Sequence, residues 1–539
     1  MARIPLPSAV SAISAVLLGF GAASGVGHAA NAPERLGKVH FKVECNAAAQ
    51  KEFDVAMAYY HSFAWEQYKA PLERALRADP GCGMVEWLRA LALLDNPFLW
   101  PGSLSAAKLA EGEALVEAAR RAGLRSDRER AYVDALAAFY KDHDKLNHRT
   151  RAKAFEDALE QVVQRYPADT DAAVLHSLVL SANFDPADKK YTNQLRAAKI
   201  LEPIFKAQPE HPGVAHYLIH SYDYPPIATH GVGAAQRYSK IAPDAPHAQH
   251  MPSHIFTRVG MWRESVESNR TSSKIDADRT PNSPHAYDYL VYAHLQLAQE
   301  RAAQEVIRHA LGVAKKPDHV VGGYAYAAMP ARLALERSRW SEAAALPLEP
   351  GDVTIAWKKY PQAEAINAFA RGVGAARSGD VRAAQAEVTR LQALRDAATA
   401  LKIGYWVEQI DIQAEAVRGL AAFAEGRRDE GVALLRRVAE REDATEKHAI
   451  SPGPLLPARE LLADMLFEFG KLAEALREYE AVLVKEPNRY RATLGAAHAA
   501  ERAGNSASAK QHFARLVELG ADADTPRAEL AEAKRMLGK

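Results

Sequence analysis

The sequence predicts an all-α protein, a stack of helical hairpins, on three observations. Apolar residues recur at i, i+3, i+4 and i+7 through long alanine-rich stretches, and alternating strand patterns are scarce. Near the C-terminus, Leu456, Leu462, Ala463, Gly470, Ala475, Tyr479 and Pro487 fall at the helix-contact, turn, aromatic and terminal positions of a repeat of about 34 residues. The next unit, from Tyr490, places Gly504, Ala509 and Phe513 at the same offsets. Two such units in tandem are the tetratricopeptide pattern, in which neighbouring hairpins must stack because none buries its apolar face alone.

Residues 1–30 read as a secretory signal peptide. Arg3 supplies the positive start, Ala9 to Val26 is small and apolar, and Gly27-His28-Ala29-Ala30 offers cleavage near Ala29 or Ala30. The alternative, an uncleaved anchor, fits less well because the apolar core is short and rich in alanine and glycine. No later run is long enough to span a bilayer, so a membrane span after cleavage is not expected. Export to the bacterial periplasm makes a disulfide between the two cysteines, Cys45 and Cys82, the natural reading. Residues 46–81 between them read as two helices folded back on each other, which brings the ends together. A two-cysteine metal site would need a CxxC or a nearby histidine pair, and neither is present.

An N-terminal superhelix is expected over 31–345, a proline-rich loop over 346–361 and a C-terminal array over 362–539. Looser repeat units fall at 49–80, 130–167, 172–212, 214–243, 246–280, 285–315, 362–395 and 412–441. Lys plus Arg (68) balances Asp plus Glu (67), which excludes the basic footprint of a nucleic-acid binder.

Histidine is concentrated in the middle repeats. His216 and His220 are four apart on an expected first helix of a hairpin, so both rings share a face. His250 and His254 repeat that spacing on the following first helix. Pro252 suits a first helical turn and not an interior, which sets His247 apart in the preceding turn. His176 and His294 lie on the flanking first helices, so four successive helices offer histidine to one concave groove. Imidazole is the commonest metal ligand, and His216, His220, His250 and His254 form a candidate set for zinc or copper. His247 and His294 are the weaker members. Tyr222, Asp223, Asp288 and Tyr289 are placed to support ligands or contact a substrate. The absence of HExxH excludes the common zinc-protease arrangement.

The chain resembles a group of exported bacterial tetratricopeptide proteins. The resemblance rests on Ala215-His-Tyr-Leu-Ile-His220, His250-Met-Pro-Ser-His-Ile-Phe-Thr-Arg-Val-Gly260, Ala286-Tyr-Asp-Tyr-Leu-Val-Tyr292 and Pro452-Gly-Pro-Leu-Leu-Pro-Ala-Arg-Glu-Leu-Leu462. It implies the fold, export, and that His216, His220, His250 and His254 belong to the motif; it implies no reaction. Two functions are open at this level. One is a periplasmic repeat protein that binds a peptide, a partner protein or a small ligand in a Tyr/His-rich groove. The other is a metal-dependent enzyme, hydrolytic or oxidative, with its metal on the four histidines.

Overall fold

A computed structural model describes residues 34–276, 282–313, 318–349 and 355–538. The expected signal peptide lies outside the described residues, apart from which the chain from Arg35 onward is one compact unit. Every regular element among the described residues is helical.

The hairpins fall where the repeat pattern puts them. The unit from Leu456 is the pair Ala458–Glu468 and Leu472–Lys485, and the next is Tyr490–Arg502 and Ser506–Leu519. Upstream, the first hairpin opens with α1 (Ala47–His61). The histidine-bearing helices are α2 (Pro212–Tyr222), α3 (Pro246–His250), α4 (Pro252–Arg258) and, after α5 (Trp262–Asp276), α6 (Asn282–Gln296). One hairpin, Gly83–Leu93 with Ala106–Ala122, escaped the repeat reading because Asn96 to Gly102 interrupts its periodicity. Cys45 and Cys82 are bonded, with Cα atoms 5.5 Å apart, and tie the start of α1 to the helix that follows its partner Lys69–Ala78. Closing that loop constrains the unfolded chain by about 4 kcal/mol in the entropy model.

Three apolar cores run along the stack. One gathers residues from Phe41 to Val179, one from Leu36 to Phe256 and one from Trp262 to Ala533. The last continues across the 346–361 loop, of which 350–354 lie outside the described residues.

The C-terminal repeats pack back onto the histidine-bearing ones, and this positions the site. Trp262 Nε1 donates to the Asn488 carbonyl (2.8 Å), and Asn488 returns a bond to the Gly260 carbonyl (3.0 Å). Gly260 has φ +69°, and a Cβ there would stand 2.2 Å from the Pro487 carbonyl oxygen, so only glycine permits the approach. The backbone amides of Arg301 and Ala302 donate to Asp524 at 3.0 and 2.8 Å. Behind this contact lies a buried ion cluster: Arg489 bonds Glu460 and Glu336 (both 2.7 Å), and Arg491 shares Glu460 (2.7 Å).

Candidate metal centre

α2 begins at Pro212, where a missing amide costs nothing, and His211 caps it by accepting the Val214 N–H (3.3 Å). Helical spacing then stacks His216 and His220 on the face turned toward α3. Their Nε2 atoms are 3.1 Å apart, and His247 Nε2 lies 3.0 Å from His216 Nε2. The expectation that Pro252 isolates His247 is overturned. Pro246 and Pro252 each open a short helix, α3 and α4, so the chain breaks after His247 and not before it. The break aims His247 at α2, while α4 carries His254 beside His250, Nε2 to Nε2 at 3.1 Å. His285, on the first turn of α6, completes a second set.

Two triads result, His216–His220–His247 and His250–His254–His285, and within each a ring nitrogen from every member lies within 4.8 Å of the others. All members but the partly buried His247 are buried, with His216 fully enclosed.

The partners on the far sides of the rings determine where the protons sit. His216 Nδ1 is 2.7 Å from the His61 carbonyl, which can only accept, so Nδ1 carries the proton and Nε2 is a bare lone pair. His250 Nδ1 meets the Asn269 side-chain oxygen (2.6 Å), oriented by that amide's own donation to the Ser265 carbonyl (2.8 Å). His254 Nδ1 donates to Asp223 (2.9 Å), and His285 Nδ1 to the Ile450 carbonyl (3.1 Å). Four of the six rings therefore present unprotonated Nε2 atoms. His250 and His254 put two bare lone pairs 3.1 Å apart, which is repulsive unless a cation lies between them. His216 has one lone pair for two facing nitrogens. An ion about 2.0–2.1 Å from each Nε2 would be subtended at about 95–100° by nitrogens so spaced, which suits a pyramidal three-histidine set.

Protonation does not supply that cation. Burial, and for His254 the charge of Lys447, lowers His250 to about 3 and His254 to about 4. Burial, with neighbouring rings, also holds His216, His220, His247 and His285 well below the usual value.

Asp223 anchors the second triad to the rest of the fold. It also bonds Arg258 (2.9 Å) and Lys447 (2.8 Å). Burial pushes its carboxyl up, but those two cations and His254 overcome it and keep the group ionised. Burial in turn lowers Lys447 to about 8. Aromatic walls close the site: Phe98 stacks on His220 (3.8 Å, 14°), and Tyr289 stacks on His254 (4.9 Å, 24°). Phe63 packs edge-on against His216 (4.4 Å) and holds a left-handed φ of +50°, a strained position for a bulky residue.

Other sequence candidates fall elsewhere. His176 and His294 belong to neither triad; His294 Nδ1 donates to Gln299 (2.7 Å). Asp288 is paired with Arg332 (2.7 Å), both fully buried, so it is a structural ion pair and not a groove residue. Tyr222 donates to Glu202 (2.7 Å) and contributes nothing to the triads. The expected open Tyr/His-rich groove is closed at this point, because residues 447–454 lie over the histidine-bearing helices. Sequence reasoning missed the roles of His285, Asn269 and Lys447. His285 had one available signal, its i,i+4 spacing to Tyr289.

A third cluster, His61–Asp171–His211, has metal-compatible distances. Its chemistry differs: His211 Nδ1 accepts a backbone N–H, so its Nε2 carries the proton and faces Asp171 at 3.7 Å as a donor.

No protein-family model matches the chain, and no curated protein matches it. Similar solved structures include the APC/C hetero-tetramer Cut9-Hcn1, at 13% identity and TM-score 0.34, with 92% of this chain and 78% of that chain covered. Naa15/Naa10 bound to HypK-THB is similar at 11% identity and TM-score 0.24, with 91% of each chain covered. Likeness at this level carries no argument about function. Among the described residues no helix is long and apolar enough to cross a membrane.

Proposed function

We propose that the protein is a metal-dependent enzyme whose transition metal is held by the histidine triads between α2, α3, α4 and α6. One observation carries this reading: the bare Nε2 atoms of His250 and His254 face each other at 3.1 Å, and that of His216 meets two further ring nitrogens at 3.0–3.1 Å, in a place where burial disfavours protonation. Three-histidine sets leave a coordination position open, as catalytic sites require. Asp223, Asn269 and the His61 and Ile450 carbonyls fix the ligating rings from behind, the support that metal-binding histidines generally have. A cavity of ≈70 Å³ is lined by Arg258 and Lys447, the two cations that Asp223 bonds, together with Tyr405 and Trp406. The Cys45–Cys82 bond supports an exported protein working in an oxidising compartment.

The test is elemental analysis of tag-free protein purified from the periplasmic fraction. Stoichiometric transition metal is expected, lost in a His216→Ala/His250→Ala double variant that keeps its helical circular dichroism and cooperative melting. Metal-free protein that cannot be loaded would sink the reading. Metal without hydrolytic or oxidative turnover on test substrates would reduce it to metal binding.

A further inference from the structure

The two triads are not independent. The rings of His247 and His250 are 6.0 Å apart, centre to centre, and those of His220 and His254 are 6.4 Å apart. Two rings of one set thus face two rings of the other, and ions held by the Nε2 atoms would sit close enough to share one small ligand. Two-metal sites use separations of about 3.5–4 Å for that purpose.

The donor set discriminates between metals. All six are imidazoles, and neither triad contains a carboxylate. Asp223 reaches only the Nδ1 of His254, and its charge is already matched by Arg258 and Lys447. Two divalent ions would place four positive charges on neutral ligands in an enclosed site, which is costly without anions. Two cuprous ions place only two. Imidazole suits copper in both oxidation states, and copper heads the divalent affinity order. The surroundings also favour a small neutral ligand: Phe63 and Phe98 wall one triad, and the Tyr289 ring covers the other.

We propose, resting on the metal-centre reading above, that the two triads bind a pair of copper ions as a single coupled centre whose ligand is dioxygen. In the binding step each Cu(I) gives one electron to O₂. Two Cu–O bonds form at least, the O–O π bond is reduced, and a bound peroxide bridges two Cu(II) ions with no proton transferred. The total charge is unchanged, two cuprous charges becoming four cupric charges less two on peroxide. An enclosed, aromatic-lined site can therefore bind and release dioxygen without importing a counter-ion. Any further oxidation of a substrate would draw on that peroxide.

The experiment loads the full chain, stripped with chelator, with Cu(I) under anaerobic conditions and then admits oxygen. About two copper ions per chain are expected. The oxygenated form should show a strong near-ultraviolet charge-transfer band. Its electron paramagnetic resonance signal should fall far below its copper content, because two adjacent Cu(II) spins couple through a shared ligand. His216→Ala and His250→Ala should each halve the copper content, abolish the band and restore nearly full signal from the remaining ion. If either variant fails to fold, the stoichiometry and spin count of the unsubstituted chain decide the matter. About one copper per chain, or two with full signal, would overturn the coupled pair while leaving a metal protein. Zinc binding that copper cannot displace would do the same. No uptake of any metal would overturn both readings.

Discussion

Two of the buried polar clusters among the described residues are assembled on opposite principles. Where the C-terminal array packs on the helix that ends at Glu336, Arg489 and Arg491 meet Glu460 and Arg489 also meets Glu336, with Arg489 and Glu460 fully enclosed. Opposite charges satisfy one another there, and burial alone would raise Glu460, yet the two guanidiniums hold it below its usual value. The histidine centre contains no such compensation. Its rings are neutral, and four of the six turn their protons outward to Asp223, Asn269 and backbone carbonyls and their lone pairs inward. A closed ion cluster is complete as a protein; converging lone pairs are complete only with a cation. The His61–Asp171–His211 cluster shows how one hydrogen bond decides the outcome, since the cap made by His211 turns an available acceptor into a donor.

Acid should separate the two clusters most sharply. Each ring of the triads titrates near 6.5 in the unfolded chain and lower in the folded one. Their contribution to stability is full above pH 6.5 and is lost as pH falls toward about 4 for His254 and about 3 for His250. Each contributes a slope approaching 1.4 kcal/mol per pH unit in that window. The metal-free protein should therefore unfold in urea titrations well before pH 4, with bound metal delaying the loss. A flat profile from pH 7 to 4 would contradict the buried neutral rings.

Next in size is Glu460→Ala, which removes the carboxylate that Arg489 and Arg491 share and leaves Glu336 to the one and Asp464 to the other. A loss of about 3–5 kcal/mol in chemical denaturation is expected, with metal content unchanged. Loss of metal in this variant would show that the two clusters are coupled. Chelation of the unsubstituted protein should cost about 4 kcal/mol where free metal had been near a thousand times its dissociation constant. His216→Ala/His250→Ala protein should show no such difference on chelation. The smallest effect is Asp223→Asn. It removes the carboxylate behind His254, and a 10–100-fold weaker metal affinity is expected by competition titration. Unchanged affinity would mean that Lys447 and Arg258, not His254, are what Asp223 is there to hold.

Much of the fold was legible before any coordinates. The repeat offsets at Leu456 and Tyr490 reappear as hairpins within a few residues, because contact between paired helices requires small residues at fixed spacing. The pair His216/His220 was legible for the same local reason, a helical face shared at i,i+4, whereas His250 and His254 meet although they stand on two short helices, α3 and α4. Pro252 suits a helix start and so sets His247 in the preceding turn, but Pro246 starts a further short helix that contains His247. Asp288 was misjudged because nothing near it in sequence announces Arg332, its ion partner. Lys447 and Ile450 could not be connected with the site at all. Lys447 lies 224 residues from Asp223 and Ile450 lies 165 from His285, and they meet only where the superhelix returns on itself.

The sequence by itself determined that this chain stacks helical hairpins, carries a bridge in its first hairpin and puts His216 and His220 on one helical face. These follow from local periodicity and short-range spacing. Only the tertiary structure decided that six rings, not four, gather in two facing triads, that the expected groove is closed over them, and that four of the six ring protons point away from the centre. Those outcomes depend on which carbonyl, amide or carboxylate arrives behind each ring, and such partners come from distant parts of the chain.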